Sequence, residues 1–126
     1  MLMAVIMLLA CVIALTGCSS KKKKSDSEMY DTSKLMPVGS VVQVSGLGTM
    51  VITGVAQVDG YNVLYDYSGC TYPQGCTGTN NYMFNRGGIM KVLHKGYDTK
   101  EEQQYLNSQE SQMNAAKSNG QVRVSN

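Results

Sequence analysis

Hydrophobic and polar positions divide the chain into three regimes. Residues 1–15 are almost wholly apolar, residues 19–33 are polar with Met29 and Tyr30 isolated among Ser, Lys, Asp and Glu, and from Leu35 onward short alternations recur between Gly and Pro turns. The middle stretch has nothing to bury and reads as a tether. In the third regime, alternation of period two marks half-buried strands. Ser40-Val41-Val42-Gln43-Val44-Ser45 is the first, with Val42 and Val44 on one face. Gly46-Leu47-Gly48 links it to the β-branched run Met50-Val51-Ile52-Thr53-Gly54-Val55-Ala56-Gln57-Val58, which predicts the second arm of a hairpin. Gly54 inside that run marks a bulge or a close strand crossing. Asp59-Gly60 is a turn signal leading into a third strand at residues 61–67, where Val63, Tyr65 and Tyr67 share a face and Leu64 and Asp66 the other. Asp66 is then expected to face solvent.

After a polar loop at 77–81, Tyr82-Met83-Phe84-Asn85 predicts another short strand and Arg86-Gly87-Gly88-Ile89 a turn. The chain returns as a last strand ending near His94, although Ile89, Val92 and Leu93 also suit one helical turn. Asp98-Thr99-Lys100-Glu101-Glu102 has the composition of a capped helix start, with Asp98 or Thr99 as cap. The helix is expected over 98–118 with a thin apolar face of Tyr105, Leu106, Met113 and Ala116, and 119–126 reads as a disordered tail. The pattern predicts a mainly β domain over 35–97: a small twisted antiparallel sheet or an SH3-like barrel of about five strands, followed by that helix.

The leader changes where this domain is expected to work. It ends in Leu15-Thr16-Gly17-Cys18, which resembles a bacterial lipobox. Small residues before a thiol let diacylglycerol attach and a peptidase cut between Gly17 and Cys18, and the run is nearer a signal-peptide core than a spanning helix of roughly 20 residues. On this reading residues 1–17 are a lipoprotein signal peptide and residues 18–34 are the lipidated Cys18 with its tether, holding the domain at the outer face of the membrane. No Lys or Arg precedes the apolar run; the α-amino group is then its only positive charge, unless the native start lies upstream. The rival expectation is an uncleaved transmembrane anchor followed by the lysines at 21–24, which would orient the domain toward the cytoplasm. Those four lysines dominate the formal charge of +2. From Ser25 on, seven Lys and Arg face nine Asp and Glu, and this mildly acidic remainder lacks the basic footprint that nucleic acid requires.

Candidate chemistry gathers near the middle of the chain. Tyr72-Pro73-Gln74-Gly75 fits a type I turn with Pro second and Gly fourth, and Cys70 and Cys76 flank it. With Cys18 acylated and Cys11 removed with the leader, these are the two remaining thiols of an exported chain, so a disulfide is expected. Two thiols and a distant His94 lack the ligand number and spacing of a structural zinc site, and no other cofactor is indicated. His94 has no base-and-orienter set around it, the cysteines have no adjacent base, and Asp66 has no second carboxylate at nearby spacing, so no catalytic residue is expected. Tyr67, Tyr72 and Tyr82, with Gln74 and Arg86, make a candidate binding surface, because tyrosine supplies contact area at low entropic cost. Alternate strand tyrosines also serve as half-buried core.

An ordered series of landmarks resembles a known family. Met36-Pro37-Val38-Gly39-Ser40-Val41-Val42, Val51-Ile52-x-Gly54, Tyr65-Asp66-Tyr67-x-Gly69-x-x-Tyr72-Pro73-x-Gly75, Phe84-Asn85-x-x-x-Ile89 and Gly96-Tyr97 are similar to domain of unknown function family 4176 over about residues 35–102. Gln74 stands where an acidic residue is usual, and Arg86-Gly87-Gly88 replaces a more acidic link. The resemblance implies a small Gram-positive protein of the kind encoded near type VII secretion and LXG-toxin genes, and it implies no enzymatic activity. The expectation is therefore a surface lipoprotein whose domain binds a protein partner, with an envelope structural or small-ligand-binding role as the alternative.

Overall fold

A computed structural model describes residues 31–125; the leader, Cys18, the lysines at 21–24 and the rest of the tether through Tyr30 lie outside the described residues. Five strands form the main sheet: β1 (Val41–Val44), β2 (Gly48–Val58), β3 (Val63–Thr71), β4 (Asn81–Phe84) and β5 (Ile89–His94). Their spatial order is β4-β3-β2-β1-β5, all neighbours antiparallel. β4 and β5 sit at opposite ends of this order, so the sheet stays open and does not close into an SH3-like barrel. A 3₁₀ turn (Arg86–Gly88) leads into β5, and the helix α1 (Lys100–Ser118) follows the sheet. None of the described helices is long and apolar enough to cross a membrane.

The cross-strand register explains which side chains make the core. Directly opposed residues share a face, and Val42 stands opposite Met50 and Val92, Ile52 opposite Gly69, and Tyr67 opposite Val55 and Phe84. These apolar side chains are all buried, together with Val44, Leu35, Met36 and, from α1, Leu106 and Met113. Leu106 and Met113 lie two helical turns apart on one stripe, while Tyr105 remains half exposed. Thr99 caps α1, its Oγ1 accepting from the Glu102 N–H at 3.1 Å.

Gly54 combines both roles expected of it. The β2–β3 register shifts between Ile52 and Gly54, and a Cβ on Gly54 would lie 2.7 Å from Ser68 Oγ. That shift lets Val55 join Met50 and Ile52 on the core face despite the odd spacing.

Beyond α1 the structure differs from the expected disordered tail. The chain turns at Gly120, and the short strand β6 (Arg123–Val124) pairs in parallel with Val63 and Leu64 of β3. Asn62 supplies the bond that the apolar pattern could not reveal: its side-chain amide donates to the Gln121 carbonyl at 2.7 Å, and its own carbonyl accepts from Arg123 N–H at 2.8 Å.

The start and end of the β-domain meet at Ser40 and Gly96. Ser40 is fully buried, and its Oγ accepts from the Gly96 N–H at 2.9 Å. A Cβ on Gly96 would approach the Val38 carbonyl oxygen to 2.5 Å and the Ser40 nitrogen to 2.9 Å, both backbone atoms with little freedom to yield. Gly96→Ala should therefore destabilise the domain by about 1–3 kcal/mol, the usual cost of overpacking. Denaturant midpoints measure this; an unchanged midpoint would mean the crossing is looser than described.

Candidate functional site

The sequence-predicted surface divides into two sets. Tyr67 belongs to the core: it is fully buried, its ring centroid lies 5.5 Å from that of Phe84, and its hydroxyl accepts from the Met36 N–H at 2.8 Å. Its aromatic body fills the sheet face while its hydroxyl satisfies a buried backbone donor, so it is not a contact residue. Burial pushes its phenol up to about 12, with the bond from Met36 acting the opposite way.

Arg86 is likewise engaged inside the molecule. Its Nε and Nη2 donate to Asp66 Oδ2 and Oδ1 at 3.0 and 3.1 Å, Nη2 reaches the Glu110 carboxylate of α1 at 3.0 Å, and Nη1 bonds the Ser33 carbonyl. Its backbone N–H also donates to Asp66 Oδ2 at 2.8 Å. Burial lowers the guanidinium's proton affinity, but the bonds to Asp66 and Glu110 outweigh it and hold the group above its ordinary value. Asp66 does not face solvent as the alternation predicts; it is 5% exposed, and its backbone N–H donates to Asn85 Oδ1 at 3.0 Å. The alternation argument fails here because a two-pronged cation from the 3₁₀ turn replaces the water that a strand carboxylate would otherwise need.

Tyr72, Gln74 and Tyr82 stay on the surface. Tyr72 is 55% and Tyr82 40% exposed, and Gln74 is exposed beside them in sequence. Cys70 and Cys76 form the expected disulfide, with Cα atoms 5.1 Å apart. The turn within it differs from type I: the Tyr72–Pro73 peptide is cis, and closure comes from the Gly75 N–H donating to the Thr71 carbonyl at 2.8 Å. The Tyr72 N–H donates to the Thr49 carbonyl of β2 at 2.9 Å, which fastens the loop to the sheet.

Sequence reasoning missed Asn80. Its amide nitrogen donates to Thr71 Oγ1 and to the Gly75 carbonyl, while its Oδ1 accepts from both the N–H and the hydroxyl of Thr77. One side chain therefore ties both ends of the loop to the strand beside it. The available signal was an Asn at the end of Thr-Gly-Thr-Asn, a residue type that bonds nearby backbone in turns. The result is a preorganised loop that displays Tyr72 and Gln74 at the β4 side of the sheet, where Tyr82 lies opposite Gly69.

A second feature is a groove of about 480 Å³ between residues 31–37, the β5–α1 connection and α1. Leu35, Met36 and Leu106 form its apolar part, and Lys34, Asp98 and Asn107 contribute polar groups. His94 lies exposed at the end of β5, opposite Val41, away from the two cysteines held in their disulfide.

Tyr67 yields a signed pH prediction. Its folded value near 12 lies above the ordinary 10, so its contribution is complete below pH 10 and is lost as pH rises through 12. Denaturant midpoints measured across this window should fall for the wild type, and Tyr67→Phe should remove part of that fall. An identical alkaline profile in the variant would contradict the buried phenol.

The landmarks carrying the family resemblance now have physical partners: Met36 with Tyr67, Ser40 with Gly96, Gly69 with the Phe84 ring, and Asp66 with Asn85. No match is found among curated proteins or among solved structures. The family model described as Domain of unknown function (DUF4176) matches residues 35–105, more than half of the chain, and the chain belongs to that family.

Proposed function

We propose that this chain is a membrane-anchored surface lipoprotein whose β-domain acts as a protein-binding module. The observation that carries this reading is the clamped loop: its backbone is tied by the disulfide, by Thr49 and by Asn80, while Tyr72 and Gln74 remain exposed. A rigid loop with an exposed aromatic loses little entropy on contact, which favours recognition. The disulfide is consistent with an oxidising compartment outside the cytoplasm, and the motif Leu15-Thr16-Gly17-Cys18 supplies the lipid attachment point. The family resemblance directs the search for a partner toward a type VII-like secretion system or its toxins.

The two halves of this reading separate experimentally. Cys18→Ala should abolish incorporation of labelled fatty acid and release the protein from membranes; unchanged labelling and fractionation would rule out the lipid anchor. Crosslinked pull-downs from membrane extracts should recover a protein partner that the paired substitution Tyr72→Ala and Tyr82→Ala reduces by about tenfold or more, as loss of aromatic anchors does. Equal recovery by a folded double variant would place recognition elsewhere.

A second reading, a small-ligand-binding envelope lipoprotein, is favoured by the groove beside α1. Its volume of about 480 Å³ falls within the roughly 300–1,000 Å³ of small-molecule sites. Native mass spectrometry of protein released from its own membrane should then show a retained small molecule. A mass equal to the processed, lipidated chain alone would count against it.

A further inference from the structure

The two halves of the disulfide stand in different surroundings. Cys70 is fully buried in β3, where the ladder is complete on both sides: it lies opposite Val51 of β2 and Asn81 of β4. Cys76 is exposed, outside every strand. Opening the bond therefore removes no rung of the sheet and leaves the core cluster of Val42, Met50, Ile52 and Tyr67 in place. What it loosens is the loop from Gln74 to Thr79, whose remaining ties are Asn80 and the Gly75 N–H bond to Thr71, while Tyr72 keeps its own backbone bond to the Thr49 carbonyl.

We infer that the Cys70–Cys76 disulfide is a reversible redox clamp that sets the order of the loop at residues 74–79 while the sheet stays folded. Its bearing on recognition rests on the reading proposed above; the clamp itself does not. The co-reactant is a dithiol, either a small molecule or a reduced thiol–disulfide oxidoreductase. Its thiolate attacks Sγ of Cys76, the half of the disulfide that belongs to an exposed residue, forming a mixed disulfide as the Cys70 sulfur leaves with the electron pair of the broken bond and takes up a proton. The second thiol of the reductant then displaces Cys76, so the protein gains two electrons and two protons and the dithiol becomes a disulfide. Because Cys70 stays fixed in β3, return requires only that Cys76 swing back. A disulfide whose two partners were both in the ladder would lack this asymmetry, since breaking it would disturb the strands themselves.

Native-state hydrogen exchange on the full chain, oxidised and after dithiothreitol, reads the clamp without any partner. Reduction should proceed under native conditions and lower protection of the Gly75 and Thr77 amides by about tenfold or more, the scale of a small-loop crosslink. The Ile52 amide, bonded to the Ser40 carbonyl at 2.8 Å, should keep its protection. Cys76→Ser should reproduce the reduced pattern, and reoxidation of the wild type should restore the original one. The inference is overturned if the bond yields only under denaturing conditions, if protection of Ile52 collapses together with the loop, or if reduction leaves Gly75 and Thr77 as protected as before. Partner recovery by the oxidised and reduced wild type then reads the effect on recognition separately from the clamp.

Discussion

Three segments of the chain converge on a guanidinium carried by a fourth. Arg86 of the 3₁₀ turn holds Asp66 of β3 by two nitrogens, Glu110 of α1 and the Ser33 carbonyl of the entering chain. A buried carboxylate at the middle of a sheet is expensive unless its charge is met and its remaining lone pairs are filled. Asp66 satisfies that condition only because the Arg86 backbone N–H and side chain both reach it. The pair therefore fixes the β4-to-β5 connection against the sheet and gives α1 a charged contact in addition to Leu106 and Met113. A hydrophobic replacement of equal shape could match its stability, but removal of one partner would strand a charge.

From that arrangement the division of labour among the tyrosines follows. With the entering chain held at Ser33 and Met36, the Tyr67 hydroxyl meets the Met36 N–H, and Tyr67 becomes a core residue. The sheet edge at β4 stays available to carry Tyr82, and the disulfide loop beside it carries Tyr72. Stability and display thus use different residues, and the surface can vary without disturbing the pairs that define the fold. Several family landmarks lie inside, where Gly69 and Gly96 have backbone or ring atoms against them and Ser40 and Phe84 are buried, whereas the landmarks Tyr72 and Tyr97 are exposed.

Much of the sheet was legible in the sequence because strands with one buried face write their pattern with period two. Val42 and Val44 in β1, the bulge near Gly54, the cap at Thr99 and the disulfide all follow from local chemistry. Asn80 and the Tyr72–Pro73 turn are local misses, where several turn geometries suit the same residues; the larger misses depend on contacts between residues far apart in the chain. Asp66 and Arg86 are 20 positions apart, and nothing in either stretch announces the other. The parallel β6 depends on Asn62 meeting Gln121 across 59 positions. Tyr67 was legible as a tyrosine on a strand, but the donor that draws its hydroxyl inward belongs to Met36. Of the residues proposed for that surface, Tyr72, Gln74 and Tyr82 are exposed, whereas Tyr67 is buried and the part-buried Arg86 is held by Asp66 and Glu110.

The dependence of the fold on the Arg86 contact is most directly tested by a double-mutant cycle on denaturant stability with Asp66→Ala, Arg86→Ala and the pair. Each single variant should lose about 3 kcal/mol, and the pair should show about 2 kcal/mol of coupling because the second substitution removes a charge already stranded by the first. Single losses below about 0.5 kcal/mol that simply add would contradict the account, since that is how exposed and independent surface positions behave.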